Sequence, residues 1–166
     1  MGVFFEADYH PDFYVHHTRS SRPVASDHPL HVHEMHELYY FMAGKGSFYV
    51  EGNVYDLKPG CVMILAAGES HHLHIQEDHP YERICIHFSP GVLRAADPDR
   101  VLEPLVKGRP WGSGNLYHSD EMNEELIRSL FASMSALLRG EKDPSRQKLI
   151  ILSHILPVLY EMRRYH

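Results

Sequence analysis

Between residues 13 and 89 apolar positions recur in short runs with a period near two, and turn residues separate the runs: DFYVHHT, ELYYFMA, GSFYVEGNVYDL, CVMIL, SHHLHI and YERICIHFS. Successive strand side chains point to opposite faces, so these runs predict strands joined by tight connections, in an antiparallel barrel or sandwich. Two connections are specified by their chemistry. Gly52 and Asn53 supply the positive φ that a hairpin turn demands, and Pro59 followed by Gly60 fits a type II turn.

After Pro90 the spacing turns helical. Asp97 and Pro98 predict an N-cap and first turn, and the connector KGRPWGSGN follows. Ser119 is the expected cap of a helix over 120–139 whose apolar stripe, Met122, Leu126, Leu130, Met134 and Leu137, reads as core or dimer seam. Asp143 and Pro144 predict the start of a second helix over 144–165, with Leu149, Leu152, Ile155, Leu156, Leu159 and Tyr160 on its apolar face and a kink at Pro157. Both stripes are broad enough to serve the barrel and a second copy of the chain, so a homodimer through these helices is expected. The pattern divides the chain into a barrel with an N-terminal arm, residues 1–91, and a helical dimerisation segment, residues 92–166.

Composition narrows the function classes. A chain of 166 residues suits one folded unit. Its formal net charge of −6, with sixteen Lys and Arg scattered along the chain, is a poor footprint for nucleic acid. Cys61 and Cys85 each sit in an apolar strand-like run, and neither a signal peptide nor an apolar stretch of about 18 residues is present, which predicts a cytoplasmic protein without membrane contact. Fifteen histidines without a tag-like run make their distribution the informative feature.

Three histidines and two glutamates fall within the seven residues HVHEMHE, positions 31–37. On a strand, His31, His33, Glu37, Tyr39 and Phe41 share one face. His31 and His33 would stand roughly 6.5 to 7 Å apart, close enough for two imidazoles to converge on one ion at about 2.1 Å. On a straight strand Glu37 would lie about 13 Å beyond His33, so its participation requires a bend between Glu34 and His36. In GCVMILAAGESHHLHI, His71 shares parity with Leu73 and Ile75 and belongs inside, whereas His72 and His74 belong outside. Three imidazoles and one carboxylate, His31, His33, His71 and Glu37, suit Zn, Fe, Ni or Mn; a polar pocket that holds water or an effector without metal is the alternative. Tyr39, Phe41 and Tyr49 fill the barrel or offer stacking faces to a sugar or aromatic ligand. His36 is expected at the rim. Arg83, Cys85 and His87 alternate with Ile84, Ile86 and Phe88; the apolar trio is expected to face the core, leaving Arg83 and His87 away from the pocket.

These residues carry a resemblance. His31, His33, Glu37 and Gly44 fit the first cupin motif, H-x-H-x3-E-x6-G, and Gly60, Gly68 and His71 fit the second, G-x5-P-x-G-x2-H-x3-N, with Ala66 at the Pro and Ile75 at the Asn. One pair of motifs implies a single cupin, a double-stranded β-helix or jelly-roll barrel. More narrowly, residues 13–165 resemble the N-terminal effector-binding and dimerisation domain of AraC-type transcriptional regulators. The resemblance implies a small-molecule effector, a carbohydrate among the candidates, bound by His31, His33, Glu37, Tyr39, Phe41 and His71. It also implies a DNA-binding helix-turn-helix domain beyond residue 166 and no catalytic residue. Residues 9–29 match the family's N-terminal arm in position and are placed to fold over the barrel mouth. The competing reading is a metal-dependent cupin enzyme, a dioxygenase or isomerase, using the same four ligands.

Overall fold

The period-two runs pair into two antiparallel sheets in the computed structural model, which describes residues 4–24 and 28–166. One sheet contains β1 (Phe4–His10), β2 (Phe13–Ser20), β3 (His36–Ala43), β6 (Val62–Leu65), β8 (Tyr81–Phe88) and the short β9 (Leu116–Tyr117), in the order β1-β2-β8-β3-β6-β9. The other contains β4 (Gly46–Val50), β5 (Asn53–Leu57) and β7 (His71–Ile75), in the order β5-β4-β7. Helix α1 (Pro90–Ala96) lies between β8 and β9, and α2 (Glu124–Leu138) and α3 (Pro144–Arg164) follow β9. This is a cupin-like β-sandwich of two antiparallel sheets followed by two C-terminal helices.

The larger sheet is covered on both faces. Towards the smaller sheet, Tyr39, Phe41, Met63, Leu65 and Cys85 pack with Phe48, Val50, Leu73 and Ile75. On its other face Leu38, Tyr40, Ile64, Ile84 and Ile86 pack with Ile127, Phe131, Met134, Ile151, Ile155 and Met162 of α2 and α3. The rings of Tyr40 and Phe131 stack there with centroids 4.3 Å apart. This double burial explains why LYYFM and VMIL are continuously apolar where a sheet with one wet face would alternate.

Several local expectations are corrected. The hairpin between β4 and β5 turns on Glu51 and Gly52, at φ 48° and 84°, with Asn53 already paired to Val50, so the turn lies one residue earlier than Gly52–Asn53. Asp97 ends a helix instead of starting one. Ser89 caps α1, its Oγ accepting from the Val92 N–H, while the Asp97 carboxylate accepts from Val101 and Leu102 N–H. The cap of α2 is Asn123, whose side chain accepts from Leu126 N–H; Ser119 opens a turn before it. Asp143 and Pro144 start α3 as expected, and the helix continues through Pro157. Tyr49 turns out of the barrel and stacks on His72, with ring centroids 4.5 Å apart. Of the arm, residues 1–3 and 25–27 lie outside the described residues; His28 and Pro29 stand at the barrel cavity.

Candidate functional site

Two backbone hydrogen bonds, His31 N–H to His71 C=O at 3.0 Å and His71 N–H to His31 C=O at 3.1 Å, set these histidines side by side on neighbouring segments. The chain then bends at Glu34 and Met35, anchored by the Gly68 N–H donating to His33 C=O at 2.9 Å, before β3 begins at His36. The bend is the geometric condition the sequence imposed. It brings His33 Nε2 to 2.9 Å from Glu37 Oε2, with His71 Nε2 3.3 Å from the same oxygen.

One ligand atom from each of His31, His33, Glu37 and His71 lies within 4.8 Å of the others. Ligands on one ion at about 2.1 Å stand at most about 4.2 Å apart, so small side-chain rotations would gather the four atoms. The outer ring nitrogens are already committed. Nδ1 of His31, His33 and His71 is hydrogen-bonded to the carbonyls of Pro29, Met35 and Glu69 at 2.9, 2.7 and 2.8 Å. A carbonyl only accepts, so each Nδ1 carries the proton and each Nε2 presents either a lone pair or a second proton to the centre. Backbone carbonyls orient metal-binding imidazoles in this way. His71 Nε2 is buried and lacks a well-aligned hydrogen-bond partner, an orphaned donor atom that an ion would satisfy. The cluster can hold a metal ion.

Electrostatics agree with an anion at the centre. Burial opposes ionisation of Glu37, but hydrogen bonds with His33 and His87 and the close approach of His71 overcome it and hold its carboxyl well below the usual range. Burial also opposes protonation of His33, yet the hydrogen bond and charge of Glu37 raise its pKa. His31 is lowered, mainly by burial. His36 is buried, its pKa pushed down to about 4 by desolvation and by Arg109, and its Nδ1 accepts from the Ala67 N–H at 2.9 Å. It holds the turn before His71 and does not point at the centre.

The structure brings in residues that strand periodicity placed elsewhere. Glu37 lies directly opposite His87 in the β3–β8 ladder, and His87 Nε2 is 3.0 Å from Glu37 Oε2. Cys85 Sγ donates to Glu37 Oε1 at 2.9 Å. Arg83, Cys85 and His87 face the barrel interior while Ile84, Ile86 and Phe88 face the helices, because this sheet has two buried sides. Together with His16 they line a cavity of about 140 Å³ that also contains His31, Glu37 and Tyr39 in its wall. Phe41 is fully buried beyond it, beside Tyr81, and does not line it. His74 is exposed, and His72 lies half-buried against Tyr49. A larger cavity of about 300 Å³, beside α1, shares none of the four clustered ligands.

The turn that carries His71 is locked by Glu69, which is fully buried. Both its carboxylate oxygens receive an Arg109 N–H at 2.7 Å, and the N–H groups of Ala66 and Gly112 and the Asn115 side-chain amide donate to it as well. Gly112 has φ 72°, and a Cβ there would stand 2.6 Å from the Val50 carbonyl oxygen, so only glycine lets this loop close on the barrel. Forty residues separate Glu69 from Arg109, so no local spacing announces the pair.

A family described as the AraC-like ligand binding domain matches residues 10–149. No curated protein matches the sequence. Among solved structures, the chain is similar to the Cnp3 cupin domain of Schizosaccharomyces pombe, at 13% identity and TM-score 0.47 over 58% of this chain and 71% of that one. It is also similar to a cupin protein from Bacteroides fragilis, at 22% identity and TM-score 0.42 over 48% and 68%.

Proposed function

The chain belongs to the AraC-like ligand binding domain family, and from that premise we propose that it is the effector-sensing and dimerisation unit of a DNA-binding transcriptional regulator. The observation that carries this reading is the small barrel cavity with His31 and Glu37 in its wall, behind which His33 and His71, their Nδ1 atoms fixed by carbonyls, turn their Nε2 atoms to Glu37. A small effector entering there meets His31, His33, Glu37, Tyr39 and His71 either directly or through one divalent ion, Zn, Fe, Ni or Mn. When bound, the ion would supply a Lewis-acidic contact for an oxygen of the ligand. An effector switches the protein only by favouring one of two arrangements. His28 and Pro29 of the arm stand in the cavity wall, which supports the arm as the segment that responds.

Two chains associate in this proposal through the outer sides of α2 and α3. Met134, expected at the seam, is fully buried in the core, but Leu137, Leu149 and Tyr160 are 53%, 68% and 54% exposed and leave an apolar ridge. DNA is contacted by a helix-turn-helix domain following residue 166, in the cytoplasm. Among the described residues no helix is long and apolar enough to cross a membrane. Calorimetric titration with candidate effectors before and after chelation tests the site: affinity lost on chelation means an ion-mediated pocket, affinity retained means direct contact, and no saturable small-molecule binding contradicts the sensor. The same four ligands favour one second reading, a metal-dependent dioxygenase or isomerase, which requires that the ligand be consumed over many turnovers.

A further inference from the structure

The barrel cavity contains a cation, Arg83, that has no hydrogen-bonded counter-ion among the described residues. Arg83, on β8, places its guanidinium in the cavity wall 5.9 Å from the centroid of the Tyr39 ring. Its Nη1 donates to the His16 ring, at 3.1 Å from Nδ1, and its Nε is buried with no hydrogen-bond partner. Guanidinium has five N–H donors and stays protonated at any ordinary pH. His16 cannot balance that charge: burial, and then Arg83 itself, pushes its pKa down to about 3, and a histidine is at best neutral. Among the described residues the cavity wall has a single carboxylate, Glu37, and it is already engaged. Its Oε2 faces His33, His71 and His87, and its Oε1 accepts from Cys85. A divalent ion on the four clustered ligands would add further positive charge beside Arg83.

A half-buried guanidinium whose Nε is buried and unpartnered is costly unless something supplies acceptors. We propose that the ligand of this cavity is a small organic carboxylate whose two oxygens pair with Arg83, its apolar or aromatic body lying against Tyr39, Phe48 and Leu73. A planar fork of N–H donors matches a carboxylate in two parallel hydrogen bonds. A cavity of about 140 Å³ is close to one of about 150 Å³ that holds benzene, which sets the scale of the body. One guanidinium leaves a phosphate dianion half neutralised, so a carboxylate monoanion is the better match. The inference rests on the barrel being the effector site, and it replaces the neutral sugar suggested by the aromatic residues with an anion.

The test is thermal-shift and calorimetric titration of the purified chain with formate, pyruvate and benzoate, against formamide, pyruvamide and benzamide, at ionic strength matched with sodium chloride. Inorganic phosphate and arabinose form two further arms. The expected result is saturable stabilisation by at least one carboxylate and none by its amide. Arg83→Gln should weaken that binding roughly ten- to hundredfold, as loss of a charge-assisted contact does, and Arg83→Lys should restore part of it. The comparison of carboxylate with amide in the unaltered chain stands even if a variant misfolds. Binding of arabinose equally by the unaltered chain and Arg83→Gln overturns the anion and keeps the effector site, and a preference for phosphate overturns the carboxylate while keeping an anion site. Absence of any carboxylate response also overturns it. Carboxylate binding that never alters DNA affinity in the full-length protein sinks the sensor reading while leaving this site intact.

Discussion

His16 shows how a buried side chain contributes to the pH response of the molecule. It is 8% exposed, and burial followed by the neighbouring Arg83 lowers its pKa to about 3. In the unfolded chain it titrates near 6.5. Between those values the unfolded state takes up a proton that the folded state refuses, so folding loses stability as pH falls, by at most about 1.4 kcal/mol per unit for this group. Glu37, whose carboxyl is held low, adds a loss in the same direction at more acidic pH, once unfolded carboxylates begin to protonate near pH 4. The melting temperature should therefore drop steadily from pH 7 to pH 4, and His16→Asn should flatten the part between about pH 6.5 and 4. An unchanged pH profile in that variant would mean that His16 is protonated in the folded state. At this scale the sequence disclosed His31, His33, Glu37 and His71, because their spacing is local and strand parity sorts His71 from His72. It did not disclose Arg83, His87 or His16. Their approach to Glu37 depends on β8 pairing between β2 and β3, which no local pattern specifies.

The turn before His71 and the helix pair behave as elements with separable roles. Glu69 and Arg109 form a buried ion pair that ties residues 109–115 to that turn. Removing one partner leaves the other charge buried and unmatched, so Glu69→Ala should destabilise the fold by about 3–5 kcal/mol, read from the denaturant midpoint. A change of less than about 1 kcal/mol would show that the pair is solvated and that the turn is held by its backbone bonds. The helices divide differently. Their inner faces complete the core, as the stacked Tyr40 and Phe131 show, whereas Leu137 and Leu149 are exposed. Replacing both with Glu should give a monomer by light scattering with unchanged circular dichroism, and a variant that stays dimeric would place the interface elsewhere. Helix existence was legible from the 3.6 spacing. The inner and outer sides of the stripe were not, because both are apolar and only packing against the sheet separates Met134 from Leu137.

For the whole molecule, a net charge of −6 and the absence of a basic helix among the described residues predict that residues 1–166 do not retain promoter DNA at physiological salt. Salt-dependent retention in a gel-shift assay would overturn the division of labour proposed between this domain and a following one. The fold class was readable because strand runs, turn residues and two motifs agreed with one another. Its layering was not, since continuous apolar strands look alike whether they face a barrel interior or a helix. The central claim is that the barrel gathers His31, His33, Glu37 and His71 around one ion-competent centre. Its most direct test is calorimetric titration of the chelator-treated chain with Zn, Ni and Mn, in the unaltered protein, His71→Ala and His74→Ala. The account predicts saturation by at least one of these metals at one ion per chain in the unaltered protein and in His74→Ala, and no saturable binding in His71→Ala. Saturation that survives His71→Ala but disappears in His74→Ala would contradict it.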